Sequence, residues 1–338
     1  MERHSSFAAR FGRWIVVTVC LLSSVAFAER ARQWTVVEIT PDSPGGGYAR
    51  ALNNAGDVVG GTLTLQGIFS VIGDAYVWRH GVRQDIGSAA GRDTATWDIN
   101  ERGTIVGTAD GIATQWVEGV ASSLQVVGQA RGINARGDIV GQFWTGGALG
   151  SGNDWPFLFR DGAIHTLPTL DASEAAAVGI NDAGIAVGYS QFGITNATHA
   201  VLWDNGALRD LETLGGRITM ADAINNRGDI VGRAEDGAGR FFMVRWHASG
   251  GAPERLIERC VPGAVNDRGD IVCSHQDTGD ALLYEDGAIT TLNDLPAMRA
   301  GGWQTFTPLG INDRGWIVGT AWKPGVAFWG TALLLIPD

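Results

Sequence analysis

A ten-residue phrase recurs seven times along this chain of 338 residues. Its copies share an Asn, a Gly three residues later and a second strand that begins with an apolar run. The shared Asn stands at positions 53, 100, 134, 181, 225, 266 and 312, with an average spacing of about 43 residues. Strand-built repeats of roughly 40–50 residues are typical of β-propellers. The coils of a β-solenoid, the alternative architecture, are usually shorter.

Each repeat resolves into four short strands bounded by turn residues. The first ends at the shared Asn, the second is the apolar run, the third ends in an aromatic residue, and a short fourth follows a Gly turn. Four antiparallel strands make one propeller blade, so we expect one all-β, seven-bladed propeller domain over residues 29–338. The third-strand aromatics are predicted to pack between blades, and they are Trp78, Trp116, Phe159, Trp203, Trp246 and Tyr284.

The two ends of the chain predict how the ring closes. The last repeat has room for three strands, the third at residues 332–336. Residues 34–40, with the sequence WTVVEIT, precede the first repeat and resemble the missing fourth strand. Pairing these two segments would close the ring and remove its exposed edges.

The Asn-x-x-Gly phrase is explained by turn chemistry. Asn at the first position of a type I turn can bond the backbone with its side chain, and Gly tolerates the left-handed conformation that forms a bulge. The phrase therefore predicts a hairpin between the first two strands of each blade. The functional alternative is a ring of seven Asn or Asp ligands.

The N-terminus predicts export. Arg3, Arg10 and Arg13 precede an apolar stretch of twelve residues, and Ala26-Phe27-Ala28 follows. This pattern is typical of a secretory signal peptide over residues 1–28, cleaved after Ala28, and the protein would be secreted or periplasmic. A membrane anchor is the alternative, but a spanning helix needs roughly 20 residues. No other stretch is long enough to span a membrane.

Charge and cysteine content limit the partners. Without residues 1–28, which carry three Arg and one Glu, the chain has 22 basic and 35 acidic residues and a net charge of −13. A nucleic-acid partner is therefore not expected. Cys260 and Cys273 remain, and two thiols in an exported chain suggest one disulfide. If Asn266 faces Gly269, the two cysteines are diagonal neighbours on one face of a hairpin; two reduced, buried thiols are the alternative.

The repeat resembles that of the HAF-repeat extracellular proteins of bacteria. The seven phrases match that family's Ile-Asn-Asp-x-Gly-x-Ile-Val-Gly pattern, and residues 199–203, HAVLW, match its His-Ala-Phe-Leu-Trp strand. Residues 210–216, DLETLGG, match its third segment. The resemblance implies export and a repeat fold over the mature chain, and it implies no activity.

Motifs for catalysis, cofactors or metals are absent from the sequence: there is no G-x-S-x-G, H-E-x-x-H, C-x-x-C or EF-hand loop. We expect a monomeric binding module for a glycan or a surface protein, with no cofactor. A propeller-type hydrolase or lyase with a scattered active site is the alternative. Four aromatics in the loops opposite the Asn turns are candidate ligand contacts, or plugs for the blade ends: Trp144, Phe192, Trp303 and Trp322.

Overall fold

The computed structural model describes residues 32–40, 43–66, 70–87, 93–145, 153–170, 174–192, 197–327 and 329–338. The predicted signal peptide and its cleavage site lie outside these residues. The strands belong to one compact unit, Gln33–Asp338. Within the described part of the chain, no helix is both long and apolar enough to cross a membrane.

The described strands form seven four-stranded blades, as the repeat predicts. Strand β1 (Trp34–Glu38) precedes the first blade, which comprises β2 (Gly47–Leu52), β3 (Val58–Gln66), β4 (Ser70–Arg79) and β5 (Val82–Asp85). The second blade comprises β6 (Thr94–Ile99), β7 (Ile105–Ala109), β8 (Ile112–Val117) and the start of β9 (Val120–Ile133). The end of β9 opens the third blade, which continues with β10 (Ile139–Thr145), β11 (Asn153–Arg160) and β12 (Ala163–Thr166).

The remaining blades follow the same order. The fourth blade comprises β13 (Ala175–Ile180), β14 (Ala186–Phe192), β15 (Ala197–Asp204) and β16 (Ala207–Asp210). The fifth comprises β17 (Gly215–Ile224), β18 (Asp229–Asp236), β19 (Phe241–His247) and β20 (Glu254–Glu258). The sixth comprises β21 (Cys260–Val265), β22 (Ile271–His275), β23 (Ala281–Glu285) and β24 (Ala288–Thr291). The seventh comprises β25 (Thr305–Ile311), β26 (Ile317–Trp322), β27 (Thr331–Pro337) and β1.

The predicted closure is confirmed. Strand β1 pairs antiparallel with β27, from Trp34 opposite Pro337 to Glu38 opposite Leu333. The backbone N–H of Ala332 also donates to Thr40 Oγ1 at 2.9 Å, which extends the contact beyond the strand. The last blade therefore contains both the first and the last strand of the ring.

The hydrophobic core is divided among the contacts between blades. Seven clusters each join two successive blades, including the pair formed by the seventh and the first. The third-strand aromatics contribute as predicted. Trp116, Trp203 and Trp246 are at most 1% exposed, and the others pack at cluster edges: Trp78, Phe159 and Tyr284.

The Asn-x-x-Gly phrase forms the predicted hairpin turn in all seven blades. In each turn the Gly N–H donates to the Asn carbonyl, as Gly56 does to Asn53 at 3.1 Å. The seven turn glycines have φ between 77° and 93°, the left-handed region that glycine adopts readily.

The disulfide between Cys260 and Cys273 is present, with the Cα atoms 6.0 Å apart. Cys273 pairs directly with Pro262, so Cys260 is two residues away on the same face, the predicted diagonal arrangement. The register shifts between Pro262 and Ala264, nearer the turn.

Two connections between strands contain regular structure. The segment Gly61–Gly73 is mostly a hairpin, because β3 and β4 remain paired as far as Gln66 and Ser70. The connection Leu292–Phe306 contains a 3-10 turn at Leu292–Asp294 and helix α1 (Pro296–Ala300). Neither the long hairpin nor the short helix is apparent from the spacing of the repeats in the sequence.

Candidate functional site

The innermost strand of every blade carries a β-bulge at the same place. The pairing with the second strand skips one residue, three positions before the shared Asn, and the strand register shifts there. A β-bulge re-aims the side chain of the extra residue. We call these seven residues the bulge ring, and they are Arg50, Trp97, Arg131, Val178, Asp222, Gly263 and Leu309.

All seven residues of the bulge ring line one cavity of about 350 Å³ on the propeller axis. We call it the channel cavity. The following position is Ala or Gly in six blades and Asp98 in the second. The bulge ring therefore combines a fixed backbone position with a different side chain in almost every blade.

An apolar ring separates this cavity from the turn side of the channel. It consists of the residues directly before the shared Asn, all of which line a second cavity of about 200 Å³: Leu52, Ile99, Ile133, Ile180, Ile224, Val265 and Ile311. Five of them also border the channel cavity. The apolar ring therefore marks the boundary between the two.

The shared Asn residues form a closed ring of hydrogen bonds. Each Nδ2 donates to the backbone carbonyl of the Asn in the next blade, at 2.8–3.3 Å, and Asn312 returns to Asn53. Each Oδ1 accepts from the backbone four residues on, as from Asp57 to Asn53 at 2.9 Å. The Asn side chains are 3–5% exposed. Both ends of each amide are occupied, which supports the structural interpretation over a ring of ligands.

A cluster of three bulge-ring side chains lies on one side of the channel cavity. Cζ of Arg50 is 4.0 Å from the centre of the Trp97 ring, and Cζ of Arg131 is 4.8 Å from it. The three residues come from the first, second and third blades, and both guanidinium groups contact the same indole ring. Guanidinium groups within about 6 Å of an indole ring are held by cation–π attraction. The indole therefore orients both cations.

In the described part of the chain these two arginines form no direct ion pair, although the charge of Asp154 acts on Arg131 and raises its pKa against the effect of burial. Arg131 Nη2 donates to Gln129 Oε1 at 2.9 Å, and within the described residues neither Arg50 nor Arg131 forms an ion pair with a carboxylate. Burial lowers the pKa of Arg50 to about 10, and the charge of Arg131 lowers it as well, against the effect of Tyr48. Burial also lowers the pKa of Arg131.

Two buried donors in this cluster have no acceptor. Trp97 Nε1 and Arg131 Nε are among only five buried side-chain polar atoms without a hydrogen-bond partner in the described part of the chain. Both groups can only donate. Buried donors are nearly always paired in native proteins, so each exception needs a cause.

Two carboxylates line the same cavity. Asp98 accepts from the backbone N–H of Ile99 at 2.8 Å and of Ile133 at 3.0 Å. Burial raises its pKa to about 6 despite these bonds. Asp222 is paired with Arg233 at 3.0 Å, and burial nevertheless raises its pKa.

The four loop aromatics named from the sequence lie in or beside three different blades, the third, fourth and seventh. Trp303 is 6% exposed and packs with Leu292 and Met298 in a core cluster, and Lys323 Nζ lies 3.9 Å from the centre of its ring. The burial of Trp303 favours the alternative that it plugs the blade end, because residues of α1 and its 3-10 turn pack against the indole. Trp322 is 37% exposed. Trp144 is half-buried within β10, and Phe192 ends β14 and its side chain lies outside the described set.

Metal chemistry has no support in this region. Within the described residues there is no group of three His, Cys, Asp or Glu side chains that could hold a metal ion. None of the described histidines lines the channel cavity.

No family model matches the sequence, and no curated protein matches it either. Solved structures do match in fold. A puromycin-hydrolyzing peptidase of Mycobacterium tuberculosis aligns with a TM-score of 0.61 at 14% identity, over 90% of this chain and 54% of that one. The β-propeller domain of the trilobed protease from Pyrococcus furiosus gives 0.56 at 10% identity, over 86% and 95%. A streptogramin B lyase gives 0.54 at 13% identity, over 90% and 98%. These likenesses establish the β-propeller fold alone.

Sequence reasoning missed the bulge ring. The repeated phrase begins one residue after it, so its members were outside the pattern. One signal was available: three residues before the Asn, the chain places Arg, Trp, Arg, Val, Asp, Gly and Leu in turn. A position that varies this widely inside a regular repeat is not needed by the scaffold.

Proposed function

We propose that this chain is an exported binding module that recognises a glycan or a surface protein through its channel cavity. The observation that supports this best is the bulge ring. Seven bulges at the same place direct six side chains and the backbone of Gly263 toward one axis, and these positions are where the repeat varies. A regular scaffold that presents variable residues at one concave place is the usual design of a binding site on a repeat protein.

Export is part of the proposal. The disulfide between Cys260 and Cys273 is typical of proteins that mature in an oxidising compartment. This agrees with the signal peptide expected over residues 1–28 and with membership of the HAF-repeat family, which we also propose.

Catalysis is not part of the proposal. The charged residues of the cavity are arginines and carboxylates without a histidine. Both Asp98 oxygens already accept backbone hydrogen bonds. Asp222 is held by Arg233. We therefore propose binding, with a propeller-type hydrolase or lyase as the alternative.

The test is ligand capture by the chain 29–338, on a glycan array and in pull-downs from cell-surface extracts. Arg131→Met keeps the apolar stem and removes the charge at the bulge ring. Arg102→Met is the matched control, because Arg102 is exposed on an Asn-x-x-Gly turn. We expect capture by the wild type and the control, and loss of most capture by Arg131→Met at an unchanged melting temperature.

Two results would count against this function. Equal ligand capture by the wild type, Arg131→Met and Arg102→Met would show that the ligand binds outside the channel cavity. Cleavage of a captured glycan into smaller products, detected by mass spectrometry, would favour the hydrolase or lyase.

A further inference from the structure

The Arg50–Trp97–Arg131 cluster holds two like charges over one indole ring, and neither is ion-paired with a carboxylate among the described residues. Both guanidinium groups are half-buried and lie over the same indole ring, at 4.0 and 4.8 Å. Placing two cations together in a partly desolvated site is unfavourable unless an anion joins them. In this chain the arrangement persists although acidic residues outnumber basic ones, 36 to 25. The cluster therefore favours an anionic ligand.

The unpaired donors indicate that the anion supplies hydrogen-bond acceptors. Trp97 Nε1 and Arg131 Nε are buried donors without acceptors, and Arg50 adds a guanidinium fork that donates no hydrogen bond to another described residue. Planar guanidinium forks match the two oxygens of a carboxylate. The ligand group is thus an oxyanion rather than a halide or a neutral hydroxyl.

The charge balance of the cavity favours a single negative charge. Asp222 is neutralised by Arg233. The other charged residues of the lining are Arg50, Arg131 and Asp98, which leave one net positive charge when Asp98 is ionised. Asp154 does not line the cavity and acts on Arg131 from outside it. A carboxylate would neutralise this charge, whereas a phosphate dianion would exceed it.

The size and surface of the cavity favour a small polar ligand. Its volume of about 350 Å³ is at the lower end of the range for ligand pockets. The exposed large apolar side chains in the described part of the chain, such as Val82, Val120 and Ile289, do not line it. A protein partner would need an interface centre depleted of charge, whereas Arg50, Arg131, Asp98 and Asp222 line this cavity.

We infer that the channel cavity recognises the carboxylate of a sugar acid, held between Arg50 and Arg131 with Trp97 Nε1 as a further donor. The inference rests on the proposed binding function and specifies its ligand. The indole does not serve as the platform for a neutral sugar, because both guanidinium groups already lie over it. Its role is to orient the two forks.

The test is calorimetric titration of the chain 29–338 with glucuronate, galacturonate, glucose, inorganic phosphate and acetate at pH 7. We expect saturable binding of at least one sugar acid, weaker binding of acetate and phosphate, and none of glucose. Arg50→Met and Arg131→Met should each weaken binding about 10- to 100-fold, the usual effect of losing hydrogen bonds to a charged group. Arg102→Met should bind as the wild type does.

The outcomes separate this inference from the proposed function. If glycans or proteins are captured but no sugar acid binds, the binding function stands and the sugar acid is wrong. If phosphate binds more tightly than both uronates, the charge argument is wrong. If Arg50→Met does not fold, Arg50→Lys replaces it. This variant keeps the positive charge but loses the planar guanidinium group. Undiminished binding by Arg50→Lys would overturn the bidentate contact between Arg50 and the carboxylate. If nothing is captured or bound in either experiment, both proposals fail.

Discussion

At the scale of the residue, Asp98 makes the charge of the channel cavity, and therefore its affinity for an anion, depend on pH. Its pKa is raised by burial to about 6, so it is mostly neutral at pH 5 and ionised at pH 7.5. The ionised carboxylate adds a negative charge beside Arg50, Arg131 and the Asp222–Arg233 pair. A sugar acid stays ionised throughout this range, so its affinity should fall as the pH rises. One added charge in a partly hydrated site costs on the order of 1 kcal/mol, about a fivefold change in affinity.

Titrating glucuronate at pH 5, 6 and 7.5 measures this effect. Asp98→Asn is the control, since it cannot ionise and should bind with nearly constant affinity across the three values. An affinity that rises from pH 5 to pH 7.5 in the wild type would contradict the assignment of this carboxylate.

At the scale of the element, the hairpin of β21 and β22 depends on its disulfide. Cys260 and Cys273 are 2% and 0% exposed, and they are 13 residues apart in sequence. Closing a loop of this length stabilises a fold by about 3 kcal/mol in the chain-entropy model. A reductant should therefore lower the free energy of unfolding by about this amount, measured by urea denaturation. The double variant Cys260→Ala/Cys273→Ala should be insensitive to the reductant; an equal response of both proteins would mean that the bond does not carry the effect.

At the scale of the whole molecule, the Asn ring links all seven blades. Asn181→Asp keeps the oxygen that its own turn requires and removes the donor to the Asn225 carbonyl, which lies at 3.2 Å. The Asn225 carbonyl then keeps only the Gly228 N–H as a donor and faces a carboxylate, and we expect a loss of about 1–3 kcal/mol in the free energy of unfolding. Asn205→Asp is the matched change at an exposed hairpin and should alter stability by less than about 0.5 kcal/mol.

Urea denaturation of the three proteins provides the comparison. If Asn181→Asp is as stable as Asn205→Asp, the hydrogen bonds between blades contribute nothing, and the turns alone explain the shared Asn.

Features contained within one repeat or at the chain ends could be predicted from the sequence. The hairpin turns, the pairing of residues 34–40 with the last strand and the diagonal cysteines follow from local spacing and side-chain alternation. Contacts between blades could not be predicted in the same way. The hydrogen bond from Asn53 Nδ2 to the Asn100 carbonyl in the next blade joins residues 47 positions apart. The sequence of a single turn does not indicate which neighbouring blade its Asn side chain contacts.

The candidate site was missed for a related reason. The sequence favours aromatic residues in connecting segments as candidate ligand contacts. A connection that folds back can bury such residues, as α1 does with Trp303. The bulge that exposes Arg50 to the axis arises from a register shift within a pair of strands. Residue type alone does not specify such a shift.

The pairing of β1 with β27 also has a consequence in time. Thr40 receives its hydrogen bond from Ala332, which is synthesised 292 residues later. At roughly 5–20 residues per second, the first strand waits about 15–60 s for its partner. Throughout that interval the first strand lacks the partner that it has in the complete ring, and its backbone hydrogen-bonding groups are available to other molecules. The final blade can assemble only when the last residues of the partner strand have emerged.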